Sequence, residues 1–139
     1  MIVIDASVAF KWFDKAEENN EQAKEVLKKH LLGEQEIIVP DLFLYELTNA
    51  WSTKSNIPEK DIIRNLRLLE KYELNIHKLS FKNLYLSCSF SREYHVSVYD
   101  AIYAIIAQEK KCNLITADEK FVKQTKQNFI MLLNSMSVK

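Results

Sequence analysis

Glycine is almost missing from this chain. Gly33 is the only one in 139 residues, and Pro40 and Pro58 are the only prolines. Neither a P-loop nor a G-x-G-x-x-G turn can be written with a single glycine, so nucleotide chemistry that depends on those phosphate cradles is excluded. Cysteine is nearly as scarce. Cys88 and Cys112 stand far apart, with no C-x-x-C pair or Cys/His cluster, which argues against a zinc site. Both are expected as buried or semi-buried free thiols in a reducing cytoplasm. No apolar run reaches the roughly 18 residues of a membrane span. The opening Met-Ile-Val-Ile-Asp is too short for a signal peptide and is broken by a charge. A soluble, cytoplasmic protein is the expectation. Net charge is absent too, with 19 Lys and Arg against 19 Asp and Glu. Nucleic acid would have to be held by a local patch or a bound metal rather than by a broad field.

What is present suits one domain spanning 1–139, with no linker, repeat or low-complexity tract. Nearly half of the residues are apolar. Ile2 to Ile4 reads as a short buried strand, and Ile37 to Val39, Leu74 to Leu79, Leu114 to Thr116 and Phe129 to Leu132 read as further short strands. Helices are expected over Ala16 to Leu32, stopped by Gly33, and from a cap at Asp41 to about Lys54. Others follow Pro58 (through Ile62, Leu66, Leu69 and Tyr72) and Ser80, and two more span Val98 to Lys110 and Glu119 to Lys126. Strands alternating with helices imply parallel strands joined by helical crossovers. Their lack of polar alternation implies helices on both sheet faces.

Four carboxylates stand out against that pattern. Asp5 directly follows the first strand and Asp118 the fourth, so both sit at the carboxyl edge where open parallel sheets bind ligands. Each has a plainer reading as the cap of the helix behind it. Asp100 is the only charged residue between Val96 and Ala107. An ionised carboxylate in so apolar a helix needs a partner or a metal. A Ser97-x-x-Asp100 capping box is the alternative. Glu46 lies a turn or two into the helix behind the second strand, either facing solvent or at the rim of a cleft. Ser7 and Thr116 are placed to orient these acids, or to cap backbone locally. Lys11, Lys120 and Lys123 lie near the same edge, as phosphate contacts or as plain surface charge.

Carboxylates gathered in one place resist ionising together, and a hard divalent cation relieves that cost. Mg²⁺ or Mn²⁺ held by oxygen ligands can activate water for phosphodiester cleavage. No His or Cys is placed to favour a softer metal.

The segments that carry these acids resemble the motifs of PIN domains, particularly toxin nucleases of the VapC type. The opening Ile-Val-Ile-Asp5-Ala-Ser7 resembles the first motif and Leu-Tyr-Glu46-Leu the second. Tyr99-Asp100-Ala-Ile-Tyr103-Ala resembles the third, and Leu-Ile-Thr116-Ala-Asp118-Glu-Lys-Phe121 the fourth. The resemblance implies a three-layer α/β PIN-like fold with a central, mainly parallel sheet flanked by helices. It implies a Mg²⁺- or Mn²⁺-dependent endoribonuclease, the toxin of a type II toxin–antitoxin pair, with RNA as substrate. Asp5, Glu46, Asp100 and Asp118 would be catalytic metal ligands, supported by Ser7 and Thr116. A homodimer and a cognate antitoxin are the implied partners, with some of the apolar residues around Phe43 to Trp51 and Ile62 to Tyr72 as their surface. Three other readings compete: an RNA-processing or flap nuclease, a non-catalytic interaction module on the same fold, and a receiver-like phospho-acceptor domain. The last lacks its strand-end lysine.

Overall fold

The computed structural model describes residues 1–137. Five strands form one sheet: β1 (Ile2–Ile4), β2 (Ile37–Pro40), β3 (Asn75–His77), β4 (Asn113–Thr116) and β5 (Ile130–Leu132). Their order is β3-β2-β1-β4-β5 and every pairing is parallel. Seven helices flank it: α1 (Ala6–Phe10), α2 (Asn20–Leu31), α3 (Leu42–Thr53), α4 (Glu59–Tyr72), α5 (Phe81–Tyr94), α6 (Val98–Glu109) and α7 (Glu119–Thr125). This is the three-layer α/β architecture expected from the alternation of elements. β1 and β2 are buried along their whole length, as a strand covered on both faces must be.

The helix starts follow local chemistry. Asp5, Asp41, Ser80, Ser97 and Asp118 each occupy an N-cap and accept a backbone N–H with the side chain. That hydrogen bond satisfies a donor the helix leaves unpaired and contributes about 1 kcal/mol. Gly33 stops α2 with φ near 73°, a conformation costly to any residue with a Cβ. Helix α6 fills the centre: seven consecutive residues, Ala101 to Ala107, are buried against β1, β2 and β4.

Two expectations are corrected. Helix α2 begins at Asn20, not Ala16. The Asn20 amide bonds the carbonyls of Lys11 and Asp14, which ties residues 11–20 into turns in place of helix. Cys88 is exposed, because the apolar residues at helical spacing around it lie on the outer face of α5; Cys112 is half-buried.

Because all strands are parallel, their carboxyl ends share one edge. Sheet order reverses at β1, with β2 on one side and β4 on the other. A crevice opens outside the strand ends at such a switch point.

Candidate active site

β1 delivers Asp5 to that edge, and the N-cap geometry of α1 turns its carboxylate inward. Asp5 is 7% exposed. Oδ1 accepts the Ser7 hydroxyl and, at 3.1 Å, the Ser7 backbone N–H. Oδ2 accepts the Thr116 hydroxyl from the end of β4. Both hydroxyls also accept a backbone N–H: Ser7 Oγ from Ala117 at 2.9 Å, and Thr116 Oγ1 from Asp118 at 3.1 Å. Two amides of the β4–α7 loop are thereby relayed through hydroxyls to one buried carboxylate. Ser7 and Thr116 act on Asp5 itself and are not merely local caps.

The other acids stand around it. Asp100 is half-buried in the first turn of α6, where its backbone N–H donates to Ser97 Oγ at 3.0 Å. Only that half of the expected capping box forms. Glu46, one turn into α3, is half-buried and accepts the Tyr103 hydroxyl at 2.5 Å. Asp118 is exposed and caps α7 by accepting the Phe121 N–H at 3.1 Å. The plain capping readings of Asp5 and Asp118 therefore hold alongside any further role.

Electrostatics joins the four. Burial pushes the Asp5 carboxyl up to about 6; the Ser7 and Thr116 hydroxyls oppose this and Asp100 reinforces it. Asp100 is raised by burial and then by Asp118. Glu46 is raised by burial, lowered by the Tyr103 hydroxyl and raised again by Asp100. Each of the four thus feels or supplies repulsion through Asp100. Tyr103, buried on α6, is driven far above the usual phenol range by burial and by the Glu46 charge, so it stays a hydrogen-bond donor.

Among the described residues, no three Asp, Glu, His or Cys side chains approach closely enough to hold a metal unaided. The carboxylates spend oxygens on the protein instead: Asp5 on two hydroxyls, Glu46 Oε1 on Tyr103, Asp118 Oδ1 on a backbone amide. Glu46 Oε2 and Asp118 Oδ2 carry no protein hydrogen bond among the described residues. An all-oxygen donor set with uncompensated mutual repulsion fits a hard divalent cation that keeps several waters and takes only one or two carboxylates directly.

Tyr103 lies within the third motif, and the sequence alone assigns it no role. A phenol buried in an apolar helix needs a partner for its hydroxyl, and that need was the available signal. Lys11 is not a plain surface charge. It is 8% exposed, with Nζ 3.3 Å from Glu17. Lys123 pairs with Glu119 at 3.8 Å on exposed helix surface, and Lys120 is exposed.

A sequence model described as the PIN domain matches residues 2–127. No curated protein matches the chain. Among solved structures, PAE2754 from Pyrobaculum aerophilum superposes with a TM-score of 0.72 at 18% identity, covering 96% of this chain and 84% of that one. VapC20 of Mycobacterium tuberculosis, described as a sarcin-ricin loop cleaving toxin, gives 0.68 at 12% identity, covering 94% and 97%. VapBC2 of Rickettsia felis, solved with a DNA fragment from its promoter, gives 0.67 at 20%, covering 95% and 97%. At these identities the superpositions establish the fold.

Proposed function

This chain belongs to the PIN-domain family, and from that premise we propose that it is an endoribonuclease using Mg²⁺ or Mn²⁺ held by Asp5, Glu46, Asp100 and Asp118. The observation that carries the reading is the electrostatic convergence on Asp100, through which acids from four different elements feel one another. A bound divalent cation supplies charge stabilisation to a cleaving phosphodiester and lowers the pKa of its water. The chain's own residues do the positioning. Ser7 and Thr116 hold both oxygens of Asp5 in one orientation, and Tyr103 holds Oε1 of Glu46 while leaving Oε2 without a protein hydrogen bond among the described residues. Burial of Asp5 and Asp100 strengthens their attraction for a cation relative to water-exposed carboxylates.

The likeness to VapC20 and to the VapBC2 complex extends the proposal: the chain is the toxin of a type II pair, a homodimer inhibited by a cognate antitoxin. A groove of about 330 Å³ between α3, α4 and β3 suits the antitoxin. Leu44, Leu66, Leu69, Leu74 and Ile76 line it, with Glu70 and Glu73 at the rim. Such a groove complements an apolar segment that carries Lys or Arg.

The test is cleavage of a mixed pool of structured and single-stranded RNAs by the purified chain, in EDTA, Mg²⁺ and Mn²⁺. Cleavage restored by either metal supports the reading. No cleavage, together with no Mn²⁺ binding by calorimetry, would turn it toward a non-catalytic interaction module.

A further inference from the structure

Lys11 is buried with only part of its hydrogen bonding answered. Among the described residues Glu17, at 3.3 Å, is the one acceptor of its Nζ. An ammonium carries three donors, and a desolvated charge short of acceptors is costly. Lys11 lines a cavity of about 100 Å³, where a ligand can supply the missing acceptors.

Two segments build that cavity around Lys11. The Asn20 amide bonds the carbonyls of Lys11 and Asp14 and closes residues 11–20 into turns. Those turns bring Glu18 and Asn19 to the cavity wall. The single turn after β5, Leu133–Ser135, brings Asn134. Asn19 stands at the N-cap of α2 yet makes no capping bond with its side chain. The side chains of Glu18 and Asn134 likewise make no hydrogen bond or ion pair among the described residues. A buried ammonium, a carboxylate and two amides therefore share one small cavity with their polar atoms unspent.

The cavity adjoins the four acids. Ala117 and Glu119, on either side of Asp118 in the chain, belong to its wall. The Ala117 N–H donates to Ser7 Oγ, the hydroxyl that holds Asp5.

We propose, on the premise that the chain cuts RNA, that this cavity receives one base of the substrate beside the cut and that the base is guanine. The Glu18 carboxylate accepts N1–H and N2–H, two donors side by side that no other RNA base presents. Lys11 Nζ donates to O6 on the same edge, and the amides of Asn19 and Asn134 complete the contacts. A phosphate fits less well. Glu17 already pairs with Lys11, and Glu18 and Glu119 line the same walls, so acids outnumber the lysine. A cation is disfavoured by Lys11 itself. The volume, that of about three waters, admits the edge of a base and not a whole nucleotide.

The test is fluorescence anisotropy of the full chain with labelled RNA hexamers, uridine throughout except for a central G, A or C. Ca²⁺ replaces Mg²⁺ as the hard cation at the acids, and each hexamer is confirmed intact afterwards. The G hexamer should bind about ten-fold more tightly than the A, C and all-uridine hexamers, the discrimination of one bidentate pair. Glu18→Gln, at an exposed position, and Lys11→Met, with its fold checked by circular dichroism, should each remove most of that preference. Equal binding of all four hexamers, a preference for another base, or no binding at all would overturn the proposal. So would a guanine preference that survives both substitutions, which would place recognition elsewhere. Cleavage of the same hexamers in Mg²⁺ and Mn²⁺ separates the proposal from its premise. Cutting without selective binding sinks only the guanine site. Guanine-selective binding by a chain that cuts nothing sinks only the nuclease.

Discussion

Thr116 donates a hydrogen bond to Asp5 across 111 positions of sequence. Thr116 ends β4 and Asp5 directly follows the adjacent parallel strand β1, so strand pairing itself brings them together. The Thr116 hydroxyl is buried, and it also accepts the Asp118 N–H at 3.1 Å. One hydroxyl therefore links two of the four carboxylate residues.

Replacing that hydroxyl by a methyl should expose the link. Thr116→Val keeps the shape but leaves the Asp118 amide without its acceptor and removes one of the two hydroxyls that hold Asp5 down. The expected cost is about 1–3 kcal/mol of stability, read by urea unfolding. The acid limb of the cleavage profile should also move to higher pH, because Asp5 loses a bond to its charged form. An unchanged profile would mean that Thr116 serves the loop alone.

Tyr103→Phe isolates the second support. Glu46 loses the donor that lowers its carboxyl pKa, so that pKa should rise further. With one carboxylate left unoriented, cleavage should fall about ten-fold or more, with a stability loss of about 1 kcal/mol. Full activity in the folded variant would remove Tyr103 from the site.

Without metal, the site should make stability fall as pH rises. Asp5 has a folded pKa of about 6, above its ordinary 3.8. Between those values the folded chain holds a proton that the unfolded chain has lost. The contribution of this group is fully present below pH 3.8 and is lost as pH passes through 6. For Asp5 the loss is on the order of 3 kcal/mol, and the raised carboxyls of Asp100 and Glu46 act in the same direction. Urea unfolding in EDTA at pH 4.5 and pH 7 reads the slope, and Mg²⁺ at pH 7 should restore part of the loss. A flat or rising profile in EDTA would show that burial does not hold these carboxyls above their ordinary range.

Much of this arrangement was legible in the sequence because it is local. Asp41, Ser80, Ser97 and Asp118 announce helix starts, and Gly33 announces a stop. The β-branched triplets announce strands, and the strand ends fix where Asp5 and Asp118 lie. What escaped depends on tertiary contacts. The start of α2 is set by the Asn20 amide reaching back to Lys11 and Asp14. The burial of Lys11 depends on Glu17, and the exposed position of Cys88 depends on which side of α5 meets α6. Tyr103 gains a role only because α3 places Glu46 within reach of its hydroxyl. Periodicity shows that a helix has two faces, but α5 buries the one that composition alone would have left in water.

The proposed function requires that Asp5, Glu46, Asp100 and Asp118 form one metal site organised through Asp100. Asp100→Asn tests it most directly, with the fold confirmed by circular dichroism and with Mn²⁺ binding and RNA cleavage measured on the same sample. Both should be lost together, with Mn²⁺ affinity falling by about ten-fold or more. A folded variant that binds Mn²⁺ and cuts RNA as the wild type does would contradict it.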